Sequence, residues 1–282
     1  MGKLIVNNLN VSYGRNKILK DINLQLECGI YGLLGPNGAG KTTFFKAVTG
    51  IEKSKKGIIS YDDIDVNSKK YSTKLAYLPQ TFVGFSNLTV LEMMDYLATL
   101  RNLNQQEKDD RITVALKQTG LYDNRKKKMS QLSGGMVRRV GIAQCIMGEE
   151  DVLIMDEPTA GLDPEERIRF RRILENISSD RTVIVSSHII SDLEDICDKL
   201  LIISQGEIAA ELSIDELKNI AKNKTYVLQK KSAKMIKGNY SIVNEFKMEN
   251  EQYINIVSET IQAFPQREAT TEDGYLCVIK NY

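Results

Sequence analysis

The chain has 282 residues, 42% hydrophobic and 27% charged, enough for one large domain or for one domain with a small companion. Lys and Arg number 38 against 37 Asp and Glu, which excludes the strong positive field of a nucleic-acid binder. Apolar runs such as Val152–Met155 and Leu200–Ile203 fall far short of the roughly 18 residues of a membrane span; with no secretory leader read at the start, a cytoplasmic protein is expected.

Elements are predicted in chain order from hydrophobic period. Leu4 and Val6, then Ile22, Leu24 and Leu26, alternate as half-buried strands do. Ile30–Leu34 is a short apolar strand that runs into a glycine-rich turn, and Lys41–Thr49 reads as a helix closed by Gly50. Strands are expected at Gly57–Tyr61 and Leu75–Leu78. From Leu88 to about Met147 the spacing of Leu91, Met94, Leu97 and Ala98 turns helical, the mark of an inserted helical subdomain. The basic run Arg125–Lys128 reads as a solvated loop within it.

Strands and helices then alternate: strand Val152–Met155, helix Pro164–Ser178, strand Thr182–Ser186, helix Ile189–Cys197 and strand Lys199–Ser204. That order predicts an α/β fold with a mainly parallel sheet covered by helices. Gly206 turns the chain into Glu207–Leu212, and Ser213 with Glu216 forms a capping-box signature for a helix over 214–221. Beyond about Lys222 the chain becomes lysine-rich; a hairpin of Tyr240–Met248 and Gln252–Val257 around Asn250-Glu251, then a helix after Thr270, are expected. The predicted division is 1–221 for the main domain, with its helical subdomain at about 88–147, and 222–282 for a small α+β appendage. Cys28, Cys145, Cys197 and Cys277 lie far apart and the chain has one histidine, so buried small hydrophobes fit better than a zinc site or a disulfide framework.

Three stretches carry chemistry. Gly35-Pro36-Asn37-Gly38-Ala39-Gly40-Lys41-Thr42-Thr43 stands between a predicted strand and a predicted helix. Such glycines let backbone N–H groups turn inward around phosphates, and the helix adds its positive end. Lys41 can then reach the outer phosphates, and the Thr42 hydroxyl can ligate Mg²⁺. Val152–Met155 leads directly into Asp156 and Glu157. Placed beside the strand that feeds the phosphate loop, Asp156 suits a Mg²⁺ carboxylate, direct or through a bound water, and Glu157 suits activation of a water. Leu132-Ser133-Gly134-Gly135 offers a hydroxyl and bare N–H groups at the start of a helix predicted over Met136–Met147. This is a second anion site, and its economical use is to bind the γ-phosphate held by another copy of the chain.

With these motifs in this order, the chain resembles the nucleotide-binding subunit of an ATP-binding cassette (ABC) transporter over about residues 3–212. The resemblance implies an ATP site, built as a P-loop ATPase with an N-terminal antiparallel β subdomain and the helical insertion. It makes Tyr13 the residue that stacks on adenine and Gly35–Thr43 the phosphate loop. Gln80, in Leu78-Pro79-Gln80, becomes the residue of the glutamine loop, placed with the helical subdomain to carry closure to a membrane partner. Ser133, Gly134 and Gly135 become the signature, Asp163 in Gly161-Leu162-Asp163-Pro164 the D-loop residue, and His188 the γ-phosphate histidine. Thr42, Gln80 and Asp156 are then the Mg²⁺ residues, and Glu157, His188 and Gln80 the catalytic ones.

The implied partners are a second cassette, identical or paralogous, and a separate integral membrane permease that places the chain peripherally at the cytoplasmic face of the membrane. No nucleic-acid partner is implied. Met136 stands where the signature often has Gln. Together with Leu88-Thr89-Val90-Leu91-Glu92 and Thr271-Glu272-Asp273-Gly274-Tyr275-Leu276, it resembles exporters of the antibiotic-resistance and lipid-export type, although Thr271 replaces a common Leu. The alternative reading is a soluble cassette ATPase with no transport role, such as one for iron–sulfur assembly.

Overall fold

The computed structural model describes residues 2–54, 56–101 and 103–282. In chain order it contains β1 (Leu4–Tyr13), β2 (Asn16–Leu26), β3 (Gly29–Leu34), α1 (Lys41–Val48), β4 (Lys56–Tyr61), β5 (Ile64–Asp65), α2 (Lys69–Ser72) and β6 (Leu75–Leu78). Three helices follow, α3 (Val90–Leu100), α4 (Gln105–Gln118) and α5 (Gly134–Ile146). Then come β7 (Val152–Met155), α6 (Pro164–Ile177), β8 (Thr182–Ser187), α7 (Ser191–Glu194), β9 (Lys199–Ser204), β10 (Glu207–Leu212) and α8 (Ile214–Ile220). The chain ends in β11 (Thr225–Gln229), β12 (Tyr240–Met248), β13 (Glu251–Ser258) and α9 (Thr271–Lys280).

The central sheet has the order β10-β9-β3-β8-β7-β6, and only the β9–β10 pairing is antiparallel. Its inner strands β3, β7, β8 and β9 are buried on both faces, which is why they read as continuous apolar runs. In β7, Leu153 and Met155 join the helical side of the core with Met94, Val140 and Leu174, while Val152 and Ile154 face the other side with Phe44, Phe45 and Val48. That second side is closed by an antiparallel sheet of order β2-β1-β4-β5, where Leu4, Val6, Ile22, Leu24 and Leu26 point inward. A third, antiparallel sheet of order β11-β13-β12 has its own small cluster of Tyr226, Leu228, Ile254 and Ile256.

Several elements depart from the sequence expectations. The helix expected over Ile189–Cys197 shrinks to Ser191–Glu194. Asp198 accepts a hydrogen bond from the Ile30 N–H at 2.7 Å, and this draws the chain straight back into β9 beside β3. The helix expected from Met136 begins at Gly134, because Ser133 caps it by accepting from the Met136 N–H at 3.3 Å. The hairpin turn lies at Glu249-Asn250, one residue earlier than expected, with φ of 49° and 65° at the two positions, the left-handed pair of a two-residue hairpin turn. Three elements, α2, β5 and β11, lie outside the sequence expectations. The edge strand β11 hides behind the lysines that precede it, although Thr225-Tyr226-Val227 carries strand-forming side chains.

Candidate functional site

The phosphate-loop sequence leaves β3 at its buried end and enters α1. Gly35 packs so close to β9 that a Cβ there would lie 2.3 Å from the Ile203 carbonyl oxygen. Gly38 has φ of 80° and Gly40, the residue before α1, has φ of 111°, values side-chain-bearing residues rarely adopt. A Cβ on Gly40 would also meet Leu19 Cδ2 at 2.8 Å. The loop therefore exposes backbone N–H groups at a helix start, a ready anion cradle. Lys41 is buried, and its Nζ donates to the Gly35 and Pro36 carbonyls at 2.6 and 3.3 Å. Burial pulls its pKa down, and the nearby Glu157 and Asp156 carboxylates partly restore it.

The strand before the carboxylates does not lie beside β3 as expected. β8 stands between β3 and β7, since both pair with it in parallel. The carboxylate reaches the loop across that strand all the same: the Thr42 hydroxyl donates to Asp156 Oδ2 at 2.8 Å. The Ser186 hydroxyl at the end of β8 donates to Asp156 Oδ1 at 2.6 Å and accepts from the Glu157 N–H at 2.9 Å. Glu157 sits at φ 50°, an uncommon conformation for a residue with a side chain, and its Oε1 lies 3.0 Å from His188 Nδ1. Asp156 and Ser186 are buried, whereas His188 is half exposed.

Together Tyr13, Ile18, Asn37, Gly38, Gly40, Lys41, Thr42, Thr43, Gln80, Asp156 and Glu157 line one open cleft of about 490 Å³. Within the loop, Ala39 is buried and donates its N–H to the Pro36 carbonyl at 3.2 Å. Tyr13, at the mouth, keeps 46% of its surface exposed and donates its hydroxyl to Glu52 at 3.1 Å. Partial burial and the Glu52 carboxylate push that phenol's pKa up.

The remaining predicted residues do not line this cleft. Ser133 caps α5, Gly134 opens it, and a Cβ on Gly135 would meet the Gly161 carbonyl oxygen at 2.8 Å, so the signature and the D-loop pack on each other. Asp163 caps α6 in a reciprocal box with Glu166, followed by Pro164 at the first helical position. Glu166 also pairs with Arg139 at 2.7 Å and so joins α6 to α5. The predicted set thus divides into the cleft, a separate surface carrying Ser133, Gly135 and Asp163, and His188, which meets the cleft through Glu157 and itself borders a neighbouring pocket with Glu194 and Thr271.

Two side chains at the cleft were not anticipated. Ser186 was read only as part of an apolar strand; its hydroxyl in a stretch of buried β-branched residues was the available signal. Arg138, on the buried side of α5, donates to the carbonyls of Pro79 at 2.8 Å, Gln80 at 3.0 Å and Asp156. Its position among buried neighbours of α5 was the corresponding sign.

The donor set is hard: one carboxylate at Asp156, one hydroxyl at Thr42 and the Gln80 amide beside a cradle that a Cβ would fill. Mg²⁺ is commonly held by one or two oxygen ligands of the protein together with substrate phosphates, so these residues fit it. Among the described residues no three His, Cys, Asp or Glu side chains converge into a richer metal site.

Comparison with known proteins agrees with this geometry. The family model described as ABC transporter matches residues 19–160. The chain is 34% identical over 207 residues to the linearmycin resistance ATP-binding protein LnrL of Bacillus subtilis, covering 72% of this chain and 67% of that one. It is 33% identical over 219 residues to the lantibiotic transport ATP-binding protein SrtF of Streptococcus pyogenes, covering 77% and 93%. It spans 57% of the length of an uncharacterised ABC transporter ATP-binding protein of Synechocystis, to which it is 34% identical. A solved ATP-binding subunit of an ABC transporter superposes with a TM-score of 0.71 at 27% identity, over 77% of this chain and 92% of that one. The cbiO1 protein of Clostridium perfringens, part of the transporter complex cbiONQ, does so with a TM-score of 0.68 at 30% identity, over 76% and 89%. The chain belongs to the ABC transporter family of ATP-binding cassettes.

Proposed function

We propose that this chain binds and hydrolyses ATP to power a membrane exporter of an antibiotic, peptide or lipid-like molecule. The observation that carries the proposal is the Thr42–Asp156–Ser186–Glu157–His188 chain of contacts beside the glycine cradle. The glycine loop and Lys41 bind the phosphates, and Tyr13 stacks on the base. Thr42, Asp156 and Gln80 would hold Mg²⁺, which would neutralise phosphate charge. Glu157 accepts the proton of the attacking water, and His188, oriented by Glu157, donates to the γ-phosphate. Gln80, which lines the same cleft, orients the water. The chemistry is mostly positioning and charge stabilisation.

Ser133, Gly134, Gly135 and Asp163 lie off the cleft, on a surface that suits a second copy. Two cassettes packed head to tail would bring the Ser133 loop of each to the ATP of the other, giving two equivalent sites. ATP then favours the closed pair through contacts made to both copies, and hydrolysis removes them. The second cassette is an identical chain or a paralogue.

A separate permease is the natural partner on the other side. Next to Gln80 the surface carries Val83 at 75% exposure and Phe85 at 56%, the latter edge-on to Tyr96 at 5.5 Å. An apolar patch beside the water-orienting loop suits a helix of a membrane subunit. No helix among the described residues is long and apolar enough to cross a membrane, which fits peripheral attachment at the cytoplasmic face. We assign residues 1–221 to the ATPase domain, with a helical subdomain at about 88–147, and 222–282 to an accessory domain. The separate cluster around Tyr226 and Ile256 supports that division. The resistance and lantibiotic-transport names of the relatives favour export over the soluble iron–sulfur reading.

The test is to capture Glu157→Gln with ATP and Mg²⁺ from solubilised membranes and, separately, from cytosol. A polytopic membrane protein recovered in near-equal amount is the expected result. A soluble scaffold without any membrane protein would move the chain to the non-transport cassette ATPases.

A further inference from the structure

The parallel ladder between β6 and β7 ends at Leu78 and Met155, closed by the Asp156 N–H donating to the Leu78 carbonyl at 2.9 Å. Beyond that point the two chains diverge. Pro79 has no N–H to continue the ladder. Gln80 on one side of the split and Asp156 and Glu157 on the other line the same cleft. Three carbonyls, those of Pro79, Gln80 and Asp156, are left where a further rung would have been, and the guanidinium of Arg138 takes all three.

Arg138 comes from α5, the helix that Ser133 caps. It is 6% exposed and ends on main-chain oxygens rather than on a carboxylate. One planar group therefore ties the helix of the signature to the wall that carries Gln80 and to the strand end that carries Asp156 and Glu157. Only a fork of donors in fixed geometry can span the two diverging strands. A buried cation facing Asp156 and Glu157 also adds favourable charge behind the two carboxylates.

We infer that Arg138 is a positioning residue for ATP hydrolysis: it holds the Gln80 loop at its distance from Asp156 and Glu157 and links that spacing to the signature helix. This rests on the ATPase reading above and adds to it the group that sets the width of the cleft. Because the Arg138 guanidinium bonds the Pro79, Gln80 and Asp156 carbonyls and neither Lys41 nor the glycine loop, phosphate binding is expected to survive its loss. Turnover is not, since water and carboxylate must meet within a fraction of an ångström.

The experiment compares Arg138→Met, Arg138→Lys and the unaltered chain, with the core variant Ile173→Val as a control for general loss of stability. ATP affinity is measured with a fluorescent nucleotide, and kcat and KM with Mg²⁺ and ATP. The expected result for Arg138→Met is a kcat lowered by about 10- to 100-fold with nucleotide affinity within about 3-fold. Arg138→Lys, which keeps donors but loses the fork, recovers part of the loss. Amide exchange over Gln80–Phe82 rises in Arg138→Met and not in Ile173→Val.

If Arg138→Met does not fold, Arg138→Lys carries the same split at smaller size together with the exchange readout. A kcat no lower than that of Ile173→Val, or affinity and kcat falling together with no local change in exchange, would overturn the inference. An unaltered chain that does not hydrolyse ATP would instead overturn the ATPase reading, so the two failures are distinguishable.

Discussion

The hydroxyl of Ser186 donates to Asp156 Oδ1 at 2.6 Å, and the same oxygen accepts the N–H of Glu157 at 2.9 Å. One buried hydroxyl thus fixes the carboxylate proposed for Mg²⁺ and the backbone of the proposed base. Ser186→Ala leaves the buried Asp156 carboxylate oxygen and the part-buried Glu157 N–H short of a partner, a cost of about 1–3 kcal/mol. It also frees Glu157 from its left-handed conformation. The expected outcome is a lower melting temperature together with a fall in kcat, read by thermal unfolding and steady-state ATPase assays. Unchanged values in both would remove Ser186 from any part in the site.

Glu157→Gln keeps the shape of the side chain and its hydrogen-bonding reach toward His188 but cannot accept a proton. Nucleotide affinity should persist while hydrolysis slows by at least ~100-fold, within the range expected for one general base. Single-turnover measurement separates the chemical step from product release. Near-normal turnover would end the role assigned to Glu157.

Gly40→Ala tests the cradle. At φ 111° a Cβ is strained, and at 2.8 Å from Leu19 Cδ2 it is also crowded. The backbone strain alone is about 1–3 kcal/mol, and relief can come only by moving the loop. ATP affinity should fall more than stability does. The check is calorimetric titration beside a denaturant melt. Full affinity in Gly40→Ala would mean that the loop does not cradle phosphate in this conformation.

What was legible in the sequence was local. The phosphate loop announces itself because glycine is demanded within nine consecutive residues, and Asp156-Glu157 because a buried apolar strand runs directly into them. The capping box of Ser213 with Glu216 is likewise local, and the helix it starts is present, as is the helix expected after Thr270. What escaped was set by distant partners. Arg138 meets Gln80 across 58 residues and Ser186 meets Asp156 across 30, and no spacing rule foretells either. The short helix after His188 escaped for the same reason, since Asp198 is tied to Ile30 on another strand. The order of β3, β8 and β7 belongs with these, because strand adjacency is decided by tertiary packing rather than by sequence succession.

The accessory region offers a stability test. Asp273 is fully buried, accepts from Arg267 Nη1 at 2.8 Å and completes the cap of α9 by accepting from the Thr270 N–H at 2.7 Å. Arg267→Met leaves that carboxylate buried without its cation, at a cost of about 3–5 kcal/mol. The loss should be confined to unfolding of the C-terminal elements, with ATP affinity retained. Amide exchange across Thr225–Lys280 reads the first part, and nucleotide titration the second. Equal loss of protection in β3 and β7 would show that the third sheet and the central sheet unfold as one unit.

Lys41 gives a pH signature. Its ammonium is buried, and desolvation lowers its pKa from the ordinary 10.5, with Glu157 and Asp156 opposing that shift. A lysine must be charged to attract phosphate, so ATP affinity should be constant at neutral pH and decline as the proton leaves. The sign follows from the direction of the shift: a lowered pKa moves the decline of affinity to a pH below that of a free lysine. In a plot of log affinity for the unliganded protein, the alkaline break therefore falls below 10.5. Lys41→Arg retains its charge throughout that range and should show no such break, although its bulkier head should weaken binding overall. Lys41→Ala should lose ATP binding at every pH. An alkaline break in Lys41→Arg at the same pH as in the unaltered chain would assign the titration to another group.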